Sequence, residues 1–261
     1  MENAIEILSE AAVGKVNECY QNKRNFILKS ILSGCFAGFA CIVCFVCGNY
    51  FFASNPGVAA IISATFFCLA LYLIIYGEGE LFTGNVMSTT FALMNRKIKM
   101  NQMINVLLVC YLANLVGAVL FSVLVKLTGV WSSVDSVLFL NIVVARKMSG
   151  TFLQTLIKGI LCNWMVCLAV YVSTKEKNGT AKLILIYIIV FAFFISGYEH
   201  SVANFALFSL SLMHAHPDTI TLSGAIANLI PTTLGNLIGG GVMVGYVYSK
   251  LHRNDKDCYT Q

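Results

Sequence analysis

The sequence predicts an all-α integral membrane protein with six transmembrane helices, arranged as an inverted 3+3 repeat whose second and fifth spans are broken. Three observations lead there. Of the 261 residues, 58% are hydrophobic and only 11% charged, with a mean hydropathy of +0.78, whereas a soluble domain carries roughly 25% charged residues. The apolar residues gather into six stretches. Two of these are interrupted in the same way, by Glu, four residues and then Asn: Glu80 to Asn85 and Glu199 to Asn204. Interrupted hydrophobic segments at corresponding places in two halves point to a membrane transport site.

Taken in order, residues 1–25 read as a cytoplasmic amphipathic N-terminal helix; its first 14 residues are acidic, and it lacks the basic start and apolar core of a cleaved signal peptide. Ile5, Leu8, Ala12, Val16 and Cys19 recur at helical spacing, which predicts a short cytoplasmic interfacial helix with Lys15, Lys23 and Arg24 on its polar side or end. Residues 26–249 form the membrane domain. Its hydrophobic runs lie at 26–47, 58–77 continued at 85–95, 104–128, 151–173, 183–196 continued at 204–213, and 226–249. The unbroken runs reach the roughly 20 residues that a spanning helix needs. Residues 250–261 are read as a cytoplasmic tail. Backbone may leave the helix at membrane depth only where protein or a wet cavity satisfies it, so the breaks near 79–84 and 197–203 should line a pore or site.

Charge sets the orientation. Lys15, Lys23, Arg24 and Lys29 lead into the first span, Arg96, Lys97 and Lys99 follow the second, Lys175, Lys177 and Lys182 the fourth, and Lys250, Arg253 and Lys256 the sixth. The other side receives Lys126, Arg146 and Lys147, with Lys158 left inside span four. The positive-inside rule then places both termini in the cytoplasm, as in a multi-pass protein of the inner membrane. A net charge of +5 spread over short loops is no nucleic-acid signal. Ten cysteines, most of them inside apolar runs, read as small packing residues; Cys41, Cys44 and Cys47 spread around a helix rather than converge on a cluster.

The halves echo each other. Asn114-Leu-Val-Gly-Ala118 in span three matches Asn236-Leu-Ile-Gly-Gly240 in span six, and Leu32-Ser-Gly34 resembles Ile157-Lys-Gly159. Three spans per half is an odd number, so the halves are inverted relative to one another. Gly34 with Gly38 and Gly235 with Gly239 have the small-xxx-small spacing of closely approaching helices.

Among candidate functional residues, His200 is the one histidine inside a span, next to Glu199 in a break, and reads as lining the pore: imidazole can donate to an anion and titrates near neutral pH. Thr83 offers a hydroxyl to a small ion, a role compatible with capping the following half-helix. Asn85, Asn163 and Asn204 are amides at depth, suited to gluing helices. Glu80 and Glu199 are expected to support the breaks by accepting backbone N–H bonds. Lys147 follows an apolar loop at 137–144. His214, His216 and Asp218 read as loop rather than metal ligands, and Lys158 is a buried charge without an assigned role.

Four motifs in order carry a resemblance. Glu80-Leu-Phe-Thr-Gly-Asn85, Gly159-Ile-Leu-Cys-Asn-Trp-Met-Val-Cys-Leu-Ala-Val170, Glu199-His-Ser-Val-Ala-Asn204 and Asn228-Leu-Ile-Pro-Thr-Thr-Leu-Gly-Asn-Leu-Ile-Gly-Gly240 together resemble the formate/nitrite transporter family over essentially the whole chain. The resemblance implies an aquaporin-like bundle, assembled as a homopentamer in the lipid bilayer with one pore per protomer. It assigns Leu71 and Leu81 to a cytoplasmic constriction and Phe67 and Phe193 to a periplasmic one. His200 becomes the central polar group, with Thr83, Asn163 and Asn204 near it. Lys147 falls on the family's lysine behind the pore, and Lys15 lies near the cytoplasmic opening as a gate. The implied activity is passive conduction of small monovalent anions of weak acids, hydrosulfide above all, with a formate or nitrite channel or a proton-coupled transporter as alternatives. No enzyme activity, cofactor, metal or nucleic-acid partner is expected. A haem oxidoreductase is disfavoured because its axial pair needs two intramembrane histidines. Water conduction is disfavoured because the only Asn-Pro, at Asn55-Pro56, lies outside both breaks.

Overall fold

The structure, a computed structural model, describes residues 4–258. The described residues are mostly helical, with no strand among them. Helix α1 (Ala4–Gln21) is followed by α2 (Lys23–Phe52), α3 (Pro56–Phe67) and α4 (Leu69–Tyr76), a break, then α5 (Phe82–Met94) and α6 (Met100–Thr128). The second half runs through α7 (Leu138–Met148), α8 (Phe152–Lys175), α9 (Gly179–Ile195), a second break, α10 (Ser201–Met213), α11 (Leu222–Leu237), a glycine-rich π turn at Ile238–Tyr246 and α12 (Val247–Cys258). Among the described residues, four helices are long and apolar enough to cross a bilayer: α2, the α3–α4 pair, α6 and α8; α9 and α10 are shorter apolar helices.

Local chemistry explains the element starts. Asn22, Asn55, Thr151, Asn178 and Thr221 each cap a helix by accepting a backbone N–H in the first turn. Pro56 occupies the first turn of α3, where its missing N–H costs nothing. The two tightest crossings rest on glycine. A Cβ on Gly34 would lie 2.1 Å from the Asn114 carbonyl oxygen of α6, and one on Gly235 would lie 2.3 Å from the Leu156 carbonyl oxygen of α8. Thus α2 packs on α6 in the first half as α11 packs on α8 in the second.

Some sequence expectations shift. The stretch at 137–144, read as an apolar loop, is the start of α7: its residues Phe139, Leu140, Asn141 and Val144 are buried against the bundle. The apolar stripe of α1 (Ile5, Leu8, Ala12, Val16, Cys19) is buried against α5 and α2 rather than resting on the bilayer surface. Lys97 at the end of α5 reaches Glu6 and Glu10 of α1, fastening that helix down; the Glu10 and Glu6 carboxylates hold the Lys97 proton more tightly than in free lysine. The tail from 250 begins as a continuation of α12, and its last three residues, like Met1–Asn3 of the N-terminal segment, lie outside the described residues. Lys158 is exposed rather than buried. Of the cysteines described, none forms a disulfide, and no group of three or more metal-ligating residues occurs among the described residues.

Candidate functional site

Both breaks are built from the same parts. Helix α4 ends with Gly77 N–H on the Leu73 oxygen (2.8 Å) and Gly79 N–H on the Ile74 oxygen (2.8 Å), while Glu78 takes a left-handed φ of 55°. Helix α9 ends with Gly197 N–H on the Phe194 oxygen (2.9 Å) and Tyr198 N–H on the Phe193 oxygen (3.3 Å), with Gly197 at φ 69°. A left-handed residue with a bond spanning five residues is the usual way to close the end of a helix. The chain then runs extended for a few residues. There Glu80 N–H donates to the Lys29 oxygen (3.1 Å), and Glu199 N–H donates to the Lys158 oxygen (3.3 Å).

Two fully buried asparagines satisfy what remains. Asn114 Oδ1 accepts from Phe82 N–H (3.0 Å), and its Nδ2 donates to the carbonyls of Ser30 (2.7 Å) and Glu80 (2.9 Å). Asn236 Oδ1 accepts from Ser201 N–H (2.9 Å), and its Nδ2 donates to the carbonyls of Gly159 (2.9 Å) and Glu199 (2.9 Å). Two backbone groups at each break, cut off from water, thereby find partners, and the third bond ties the break to α2 or α8. The sequence showed these asparagines only as an echo between spans three and six; their side chains are what pins the breaks.

The carboxylates face side chains rather than the backbone N–H groups expected of them. Glu80 accepts from Asn85 Nδ2 (3.0 Å) and pairs with Lys15 (3.0 Å), whose ammonium also donates to Asn85 Oδ1 (2.7 Å). Glu199 accepts from Asn204 Nδ2 (2.6 Å) and pairs with Lys147 (2.9 Å). Asn228 completes this second cluster, accepting from Asn204 and Thr232 and donating to the Lys147 carbonyl. Lys15 and Lys147 therefore occupy matching places, each neutralising the glutamate of one break.

Between the breaks lies a cavity of about 20 Å³, lined by Phe67, Leu71, Leu81, Phe193 and His200, with Ala37, Ala70, Ile74, Val166, Val190 and Ala203. That is room for little more than one water-sized sphere. Leu71 and Leu81 also border a vestibule of about 340 Å³ that contains Lys15 and Glu80. Towards the other side Phe67 meets Phe193 edge-on (centroids 6.0 Å apart) and stacks on Phe194 (4.4 Å). Phe194 borders a second vestibule of about 430 Å³ that contains Lys147 and Glu199. Leu71 and Leu81 thus border both the cavity and the first vestibule, and Phe67 of the cavity stacks on Phe194 of the second.

His200 is the N-cap of α10. Its Nδ1 accepts from Ala203 N–H (3.0 Å), which leaves the ring proton of neutral imidazole on Nε2, 3.0 Å from Thr83 Oγ1. The Phe193 ring lies nearly parallel to the imidazole (24°, centroids 6.3 Å apart). Leu81 is the N-cap of α5 and the counterpart of His200 in the first half, so one half supplies an apolar plug where the other supplies a polar ring. Thr83 reaches His200 but does not itself line the chamber. Neither do Asn163 and Asn204: Asn163 Nδ2 donates to the carbonyls of Thr83 (3.3 Å) and Asn236 (2.7 Å), tying the first break to the second half.

Comparison with known proteins agrees with this architecture. A family model described as "Formate/nitrite transporter" matches residues 2–250. The uncharacterized transporter YwcJ of Bacillus subtilis (strain 168) is 39% identical over 249 residues, which cover 95% of this chain and 97% of that one. The nitrite transporter NirC of Escherichia coli (strain K12) is 36% identical, covering 92% of this chain and 90% of that protein. Among solved structures, an FNT family ion channel superposes with a TM-score of 0.89 at 34% identity (94% and 97% covered), and a pentameric formate channel with formate bound superposes with a TM-score of 0.75 at 27% identity (87% and 96%).

Proposed function

The chain belongs to the formate/nitrite transporter family, and on that premise we propose that it is a passive channel carrying small monovalent anions of weak acids, hydrosulfide before formate or nitrite. The observation that carries the reading is the closed chamber between Leu71 with Leu81 and Phe67 with Phe193, which holds one polar group, His200. Hydrosulfide has a single heavy atom, and formate and nitrite have three each. A chamber of about 20 Å³ admits the former with the least displacement of its walls.

Six spans in two inverted halves, with both termini cytoplasmic and five protomers per assembly, complete the proposal. The matched breaks and the matched roles of Asn114 and Asn236 support the repeat, and the pentameric formate channel supports the assembly. Leu71 and Leu81 form the constriction towards the cytoplasm, with Lys15 of α1 beside its vestibule as the gate residue. Phe67 and Phe193 form the periplasmic one. A bare anion crosses neither cheaply, because an unpaired charge in an apolar passage is heavily penalised. His200 Nε2–H, now shared with Thr83, is the donor that an anion meets between them. Asn163 and Asn204 act behind the pore, holding Thr83 and Glu199 in place. Flux of hydrosulfide, formate and nitrite into proteoliposomes tests the reading: hydrosulfide should enter fastest, and a preparation that passes none of the three would overturn it.

A further inference from the structure

The two mouths of the chamber are electrostatically unequal. The vestibule on the Leu71–Leu81 side is lined by two cations, Lys15 and Lys29, and two carboxylates, Glu78 and Glu80. Lys15 is paired with Glu80, and Lys29 with Glu18 of α1 at 3.0 Å. With Glu18 counted, that mouth holds three carboxylates against two cations, and the Glu78 charge is left over. The opposite vestibule is lined by Arg146, Lys147 and Lys158 against the single carboxylate of Glu199, and Glu199 is consumed by Lys147 at 2.9 Å. Arg146 and Lys158 have no acidic partner within 4.0 Å among the described residues, and both are exposed.

Lys147 is therefore a weak source of attraction for an anion still outside, since its charge is cancelled at contact distance. The net positive charge of this mouth rests on Arg146 and Lys158. Lys158 is held in place from below: its carbonyl accepts Glu199 N–H at 3.3 Å, so its backbone is part of the second break. A vestibule of 430 Å³ is roughly 9 Å across if taken as a sphere, less than the Debye length of about 10 Å at 0.1 M salt. The field of the two cations fills it, and a cleft lined by one sign of charge concentrates the opposite ion.

We infer that Arg146 and Lys158 form an anion-collecting site at this mouth, a binding site for small monovalent anions separate from the chamber, and that it makes conduction asymmetric. Anions enter faster from the Lys158 side than from the Lys15 side. The inference rests on the channel reading above and adds a direction and two residues to it.

Single channels in planar bilayers bathed symmetrically in sodium hydrosulfide test it, at about 20 mM and about 500 mM ionic strength. In the wild type, anion current entering from the Lys158 mouth should exceed the reverse current on the order of twofold to threefold at the lower salt, with the ratio falling towards one at the higher. The pair Arg146→Gln and Lys158→Gln should abolish the low-salt asymmetry. Arg146→Lys with Lys158→Arg should keep it, as should Lys177→Gln, which removes an exposed charge after α8. Conducting Gln variants that rectify like the wild type would overturn the inference and leave the channel reading intact. A wild type that passes no anion would overturn both.

Discussion

Asn114 and Asn236 hold the two broken helices by the same three hydrogen bonds, one accepted from the first N–H of a half-helix, one donated to a carbonyl within the break and one donated to a carbonyl of a neighbouring helix, Ser30 of α2 or Gly159 of α8. Neither side chain has any exposed surface. Asn236→Asp is the sharpest test, because a carboxylate keeps the acceptor and loses both donors. The Glu199 carbonyl left without a partner, at about 1–3 kcal/mol, together with the lost tie to the Gly159 carbonyl of α8, should lower the thermal unfolding temperature of the detergent-solubilised protein. An unfolding temperature within a degree of wild type would show that water replaces the amide.

The chamber walls make a second prediction. Phe193 packs on Phe67 and on the His200 ring; if it forms the proposed constriction, Phe193→Ala should raise formate flux more than hydrosulfide flux. The variant should keep the wild-type elution volume on size-exclusion chromatography. Flux ratios unchanged in a folded variant that elutes like the wild type would remove Phe193 from the proposed constriction.

Lys147→Glu places a second carboxylate where the first already sits buried. Breaking a buried ion pair costs about 3–5 kcal/mol, so both stability and anion flux should fall. Exchanging the pair, Lys147→Glu with Glu199→Lys, should restore more stability than flux, since the exchanged ammonium sits on the break itself. Equal recovery of both would indicate that only the pairing matters.

His200→Asn keeps an N-cap acceptor for Ala203 N–H and removes the titrating ring. Conductance should persist while the pH dependence of flux flattens. A pH–flux profile identical to wild type under the same substrate gradient would leave His200 as a hydrogen-bonding group without a proton-transfer role. His200→Ala also loses the cap and should cost about 1 kcal/mol of stability.

Glu78 and Gly197 take the same left-handed turn at matching places. Glu78→Gly should stabilise by about 1 kcal/mol, and Gly197→Ala should destabilise by a similar amount. No atom lies within 4 Å of a Cβ built at Gly197, so the backbone alone would carry that effect. Chemical denaturation in detergent measures both.

Much of this was legible in the chain. Composition and the two Glu-to-Asn interruptions are enough to reveal a membrane protein with paired breaks, because apolar length and intramembrane carboxylates follow from solvation alone. The likeness of Asn114 to Asn236 was also visible, but not their purpose, since an asparagine's partners are carbonyls on other helices and leave no trace in local sequence. The same holds for Lys15 and Lys147: spacing placed one in a terminal helix and one in a loop, and only the folded chain brings each to a glutamate. Asn163 illustrates the converse, a polar residue at depth next to the chamber whose amide is spent on carbonyls instead of facing inward.

The pinning bonds also bear on assembly. Every partner of Asn114, Glu80 and Lys15 at the first break lies before residue 129, and every partner of Asn236, Glu199 and Lys147 at the second lies after residue 145. Each half can therefore satisfy its own irregular backbone before it meets the other, and a ribosome delivering the first half need not leave open polar groups in the lipid while the second is made. Thr83 is where the two then join, its hydroxyl to His200 and its carbonyl to Asn163. The polar centre of the chamber, the pair of Thr83 and His200, exists only once both halves have docked.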